Sequence, residues 1–225
     1  MGINKRMVYR QTSRSAKVRR ESRTRILAAA RKLFAQRGYE ETTMQQVVRA
    51  AGTSIGNAYF YFENKEGLVK ALVEEGLRAT WTWMDPIIAS VEPGPARIAV
   101  HVYANTMTLL GSEKDLAAIA MAGMPGVIRH ITQIMWERMC VLFTENFPDR
   151  DPDEVLIISA AVFGANRTAA ELCLRGVLKV GPDDLARSLI AWHLRALDLP
   201  EREIGRIIRL AARAYKTRRS TKQRD

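Results

Sequence analysis

The sequence predicts an all-α fold: a small N-terminal domain of three helices, followed by a larger helical domain. Three observations predict it. Apolar residues recur at i, i+3, i+4 and i+7 along most of the chain. No segment shows sustained period-two alternation of β-branched residues, which strands would require. Gly and Pro fall at intervals that match helix ends. With 225 residues and 47% hydrophobic content, the chain can bury one large core, or one small and one larger. It has no internal repeat.

Residues 1–20 lack a hydrophobic period, are rich in Arg, Lys and Ser, and read as a flexible basic arm. Ile26, Leu27, Ala30, Leu33 and Phe34 form one face of a helix that Gly38 ends. Thr43 with Gln46 makes a capping-box start for a short helix whose inner face is Met44, Val47, Val48 and Ala51. Gly52 takes the position after it, where left-handed backbone suits glycine. Ser54 is a good N-cap for a third helix, running to about Phe62. Asn64 caps a fourth, expected to stop near Met84, before Pro86. The run EPGP at 92–95 is a break, and further helices are expected at about 96–111, 114–122, 126–147, 153–178, 183–198 and 201–217. The organisation expected is an arm at 1–20, a small three-helix unit at 21–66, a helical body at 67–217 and a basic tail at 218–225.

Charge divides the chain in the same way. The net charge is +11, and residues 1–65 carry 14 Lys and Arg against 4 Asp and Glu. Residues 66–204 carry 13 against 19, and residues 205–225 carry 8 against 1. A basic head on an acidic body suits a polyanion such as nucleic acid. Lys5, Arg6, Arg10, Arg14, Lys17, Arg19, Arg20 and Arg23 could track phosphates or an adjacent minor groove; a solubilising arm is the competing reading. Cys140 and Cys173 match no zinc spacing and read as buried cytosolic thiols. The arginine-rich start has no apolar signal region, and the longest apolar run, 155–165, is half the length of a membrane span. A soluble cytoplasmic protein with no membrane partner is expected. No phosphate loop and no HExxH occur, and His101, His130 and His193 are isolated, so neither an enzyme nor a metal or other cofactor is expected.

Two short helices joined by AAGTS have the layout of a helix-turn-helix. The first packs inward, and the second enters the major groove with Ser54, Ile55, Gly56 and Asn57 foremost. Asn57 suits an adenine edge, Ile55 a thymine methyl, and Gly56 a close backbone approach. The aromatic run Tyr59, Phe60, Tyr61, Phe62 divides on a helical wheel. Ala58 and Phe62 face the core, and Phe60 faces DNA. Tyr59 and Tyr61 lie at the boundary, their hydroxyls toward phosphate. Lys65 adds a cation at the next helix start.

The stretch TTMQQVVRAAGTSIGNAYFYFENKEGL, extended back over RILAAARKLFAQRGYEETT, resembles the DNA-binding signature of the TetR family of bacterial transcriptional regulators. The likeness covers about residues 22–68, and Gly52, Tyr59, Phe62 and Lys65 frame it. It implies a homodimer on a palindromic double-stranded DNA operator, usually a repressor released when a small molecule binds the C-terminal domain. It places Thr43, Tyr59, Tyr61 and Lys65 at phosphates, and Gln45, Ile55, Gly56, Asn57 and Phe60 at bases. Ile55, Asn57 and Ala58 depart from the family's usual residues at those positions; the first two bear on operator choice.

The resemblance also implies dimerisation through helices about 153–178 and 183–198. Ala160, Ala161, Gly164 and Ala165 permit close approach, and Leu185, Leu189, Trp192 and Leu197 supply bulk; ordinary core packing is the competing reading. In the remaining helices a store of Met and Trp suggests a pocket for an apolar or aromatic effector. Trp83, Met107, Met121, Met124, Trp136 and Phe163 are its candidate wall, with Asn166 and Arg167 for a polar or acidic group. The segment AMAGMPG at 120–126 is the expected hinge between pocket helices. The alternatives are a TetR-fold DNA-binding factor without an effector, or an activator.

Overall fold

The computed structural model describes residues 5–121 and 124–222, with side chains over 16–120 and 124–220. The described residues form ten α-helices and one π-helical turn, with no strand among them. Three helices make the head: α1 (Lys5–Arg37), α2 (Met44–Ala50) and α3 (Ile55–Tyr61). The long α4 (Lys65–Ala89) leads to α5 (Pro95–Met107), the π turn Thr108–Ser112 and α6 (Lys114–Met121). Then come α7 (Pro125–Asn146), α8 (Pro152–Leu174), α9 (Pro182–Ala196) and α10 (Glu201–Lys222). Pro opens α5, α7, α8 and α9, where its missing N–H has no partner to lose and its fixed φ suits the first turn.

Four boundaries differ from expectation. The basic arm is helical from Lys5, continuous with α1. Residues 5–20 contain neither Gly nor Pro and are rich in Arg and Lys, so helix propensity extends α1 there without an apolar face; residues 16–20 are exposed. Helix α4 continues past Pro86 to Ala89. The proline sits in the last turn, where it forfeits one hydrogen bond, and buried Met84, Ile87 and Ile88 hold the helix on either side. Helix α8 stops at Leu174, because Gly176 adopts φ +72° and the N–H groups of Gly176 and Val177 close onto the carbonyls of Cys173 and Leu172. Helix α10 runs on to Lys222, into the expected tail.

The apolar cores do not divide at residue 66. One cluster joins Ile26, Leu27 and Phe34 of α1, Val47 of α2 and Ala58 of α3 to Phe62, and to Leu68, Val69, Leu72 and Val73 of α4. Leu116 and Ile119 of α6 and Val127 and Ile131 of α7 belong to it as well. The second cluster surrounds α5, whose residues Ile98 to Ala104 are all buried, and takes in the far end of α4 with α7 to α10. A helix apolar on all sides is an axis that others wrap. Leu185 is buried, and Leu189 and Leu197 pack against the body core, so Trp192 alone of the four bulky interface candidates is exposed. Helix α8 is long and apolar enough to cross a membrane by length and composition, yet only 28% of that apolar window is buried.

Phe62 (3% exposed) closes the head where α3 hands over to α4. Phe62→Ala is expected to lose about 3–5 kcal/mol of stability. Urea unfolding should show this as a lower midpoint, with disruption localised to the head by hydrogen exchange.

Candidate nucleic-acid interface and ligand cavity

The turn between α2 and α3 is built from local bonds. Thr43 Oγ1 accepts from the Gln46 N–H while Gln46 Oε1 accepts from the Thr43 N–H, completing the capping box. At the other end the N–H groups of Gly52 and Thr53 bond the carbonyls of Arg49 and Val48, with Gly52 at φ +61°. This glycine-closed helix end turns the chain sharply, and Ser54 Oγ caps α3 by accepting the Asn57 N–H at 3.2 Å. The run Gly52–Gly56 also spells G-x-S-x-G, a hydrolase nucleophile pattern. Here its serine is a cap between two helices, not the strand-to-helix elbow such a nucleophile needs.

Helix α3 divides as the wheel predicts. Ala58 is fully buried, while Ile55 (37%), Tyr59 (50%) and Phe60 (67%) are exposed. A Cβ added at Gly56 would meet nothing within 4 Å, so this face is open to a close approach. Tyr61 is half-buried, edge-on to Phe60 at 5.1 Å. Thr43, Gln45 and Ser54 are exposed. Two expected contacts are placed differently. Asn57 Nδ2 donates to Ser22 Oγ and Thr53 Oγ1, both at 2.7 Å, which occupies both amide hydrogens and leaves Oδ1 for a base. Lys65 Nζ donates to the Tyr39 carbonyl at 2.9 Å and lies 3.9 Å from the Tyr39 ring centre, so it first anchors the loop after α1.

A cavity with about 100 Å³ of free space lies in the body between α4, α5, α6, α7 and α8. Leu77, Trp81, Leu116, Ile131, Met135 and Phe163 supply much of its apolar wall. The polar wall groups have distinct partners. Glu113 pairs with Arg31 of α1 at 2.8 Å. Arg138 lies over the Trp81 ring at 4.7 Å and pairs with Asp85. Arg167 Nη1 donates to Thr132 Oγ1 at 2.7 Å. Asn166 Oδ1 accepts from His193 Nε2 of α9 at 3.1 Å. His101 is buried in the wall with Nδ1 unbonded, and burial, helped by Arg138, lowers its pKa to about 4. Burial lowers His193 to about 4 as well. The wider π turn brings Thr108 and Leu109 into the same wall and ends against Glu113.

Residues 26–72 match the family model of bacterial regulatory proteins, tetR family. Residues 26–72 thus carry the DNA-binding signature of that family. The HTH-type transcriptional regulator YfiR of Bacillus subtilis (strain 168) is 42% identical over 52 residues, which are 23% of this chain and 25% of YfiR. The chain thus matches a quarter of that relative's length. The likeness of fold to solved structures reaches the body. RolR in complex with resorcinol superposes with a TM-score of 0.65 at 19% identity, over 86% of this chain and 95% of RolR. FadR from Bacillus subtilis in complex with stearoyl-CoA gives 0.63 at 18%, over 76% and 96%.

Of the pocket residues expected from sequence, the cavity brings together Phe163, Asn166 and Arg167. Trp83 and Met107 face a separate hollow beside α10, with Trp83 edge-on to Tyr215 at 5.4 Å. Trp136 packs behind Phe163 at 6.3 Å without entering the wall. Met124 is buried in the head-side cluster. The Met121 side chain and the middle of the expected hinge lie outside the described residues. Composition does not say which way a helix is turned: Trp81 and Trp83 differ by about 200° around α4, and only Trp81 reaches the cavity. The overlooked signal ran from α5 into the π turn, where His101, Asn105 and Thr108 stand at i, i+4 and i+7 in a mostly apolar run.

Tyr59→Phe is expected to weaken DNA binding roughly tenfold, the size of a lost hydrogen bond to a charged group, with unfolding unchanged; filter binding and urea titration measure the two. Stability should follow the buried histidines. Both are neutral in the folded chain, whereas the unfolded chain protonates them near pH 6.5. Their stabilisation is therefore complete above about pH 6.5 and lost as pH falls through about 4. Urea titrations at stepped pH should show that decline, and His193→Gln should flatten part of it.

Proposed function

We propose that the chain is a sequence-specific repressor, working as a cytoplasmic homodimer on a palindromic operator and released by a small apolar or aromatic effector. The observation that carries this is the Arg31–Glu113 ion pair. Glu113 stands in the cavity wall, and Arg31 stands on α1, which packs on the helix-turn-helix. A molecule that draws Glu113 away from Arg31 frees α1 and shifts the spacing of two recognition helices in a dimer.

The cavity's free space is of the order of the roughly 150 Å³ that admits a benzene ring, and below the roughly 300–1,000 Å³ typical of drug-sized ligands. RolR with resorcinol and FadR with stearoyl-CoA share this fold and hold ligands of very different size; the volume here favours the single-ring end. The dimer reading rests on α8 and α9. Leu156, Ile157, Ala160, Ala161 and Gly164 of α8 and Trp192 of α9 are exposed. Exposed apolar residues at i, i+3, i+4 and i+7 call for a partner helix, and small residues among them allow its close approach.

A gel shift on the DNA upstream of the chain's own gene tests the reading, with single-ring compounds added. A specific complex that such a compound dissolves is the expected result, and a complex insensitive to every compound overturns the effector part. Glu113→Gln should weaken operator binding without any compound, by up to about fivefold, since a partly exposed pair contributes at most about 1 kcal/mol. Arg31→Gln should do the same, and the double variant should be no weaker than either single one.

A further inference from the structure

Among the described residues, the cavity wall carries one cation with no carboxylate partner. Two of its charged groups are held from outside: Glu113 by Arg31 and Arg138 by Asp85. Arg167 is different. Its one direct partner among the described residues is the neutral Thr132 hydroxyl, itself in the wall, and no described carboxylate pairs with it. A half-buried guanidinium facing apolar walls gives up hydration that a neutral hydroxyl returns only in part. The remainder of its planar fork is matched in shape and charge by a carboxylate. Phe163 lies one turn earlier on α8, with Met135 of α7 in the same wall and Trp136 behind. Aromatic and thioether groups there suit the face and edge of a ring. His101 lies in the same wall, nine-tenths buried, with Nδ1 unbonded.

We infer that the cavity takes a small aromatic carboxylate, its acid group on Arg167 and its ring against Phe163. This rests on the cavity being the effector site, and it adds the ligand's chemical class. A neutral ring compound of the same shape would leave the guanidinium unbalanced and bind more weakly.

Titration calorimetry on the full chain decides it, with benzoate and 4-hydroxybenzoate against benzamide and phenol. The acids are expected to bind at least tenfold more tightly. Arg167→Met should abolish that preference while changing benzamide and phenol less than threefold, and Arg167→Lys should keep part of it. Should Arg167→Met not fold, the acid-to-amide ratio of the parent chain and of Arg167→Lys still decides. The inference falls if neutral analogues bind as tightly as acids, if neither acid binds, or if Arg167→Met retains the preference. The same compounds in the gel shift separate this from the functional reading. Acids that bind through Arg167 but leave the DNA complex intact uphold the ligand class and overturn effector release. Release by the neutral compounds alone does the reverse.

Discussion

Leu68, Val69, Leu72 and Val73 of α4 are buried in the same cluster as Ile26, Phe34, Val47, Ala58 and Phe62. That shared burial is the constraint on which the rest of the molecule depends. Helices α2 and α3 have seven residues each, too short to persist alone in water. Their apolar faces are also too small to enclose a core. They gain a fixed position only because α1 and α4 close over them, and α6 and α7 close over α4 in turn. The helix-turn-helix is thus packed onto the same helices that wall the cavity, so a change in the body has a short physical route to the head.

The route has an identifiable shape. The π turn at Thr108–Ser112 widens the chain where α5 would otherwise run on, and it ends at Glu113. From there the carboxylate meets both the cavity and Arg31. Arg23 adds a second cross-link, pairing with Glu75 of α4 at 2.8 Å. Neither pair is deeply buried, so each contributes little stability. A pair of small net worth is easily exchanged for contacts with a ligand, which suits a switch better than a strong bond would. On the far side of the cavity, Asn166 links the wall to His193 beside exposed Trp192, joining the cavity to the face proposed for dimerisation.

The aromatic run shows how well a local pattern can be read. Four rings in succession divide on a helix, and the structure buries Phe62 and exposes Phe60 and Tyr59 as the wheel requires. The candidate cavity was less legible. Asn166 and Arg167 were found because two polar residues interrupt an apolar helix, a pattern within one element, and Phe163 lies beside them. Trp83, Met107, Trp136 and Met124 were misplaced because a store of soft residues has no direction until its helix is packed. Lys65 and Asn57 were assigned to DNA by position, and the fold gives each a prior partner in Tyr39 or Ser22.

The sequence by itself determined the all-α class, the order of the helices, the capped turn between α2 and α3, and the division of the recognition helix into two faces. These follow from short-range chemistry: helical periodicity, side-chain caps and a glycine at positive φ act within about one turn of their own position. Only the tertiary structure decided that head and body share a core, which residues wall the cavity, and that Glu113 meets Arg31 across 82 positions while Arg167 meets no described carboxylate. Contacts of that kind depend on how each helix is rotated against its neighbours, and packing sets that rotation by filling space around α5, which no single helix encodes.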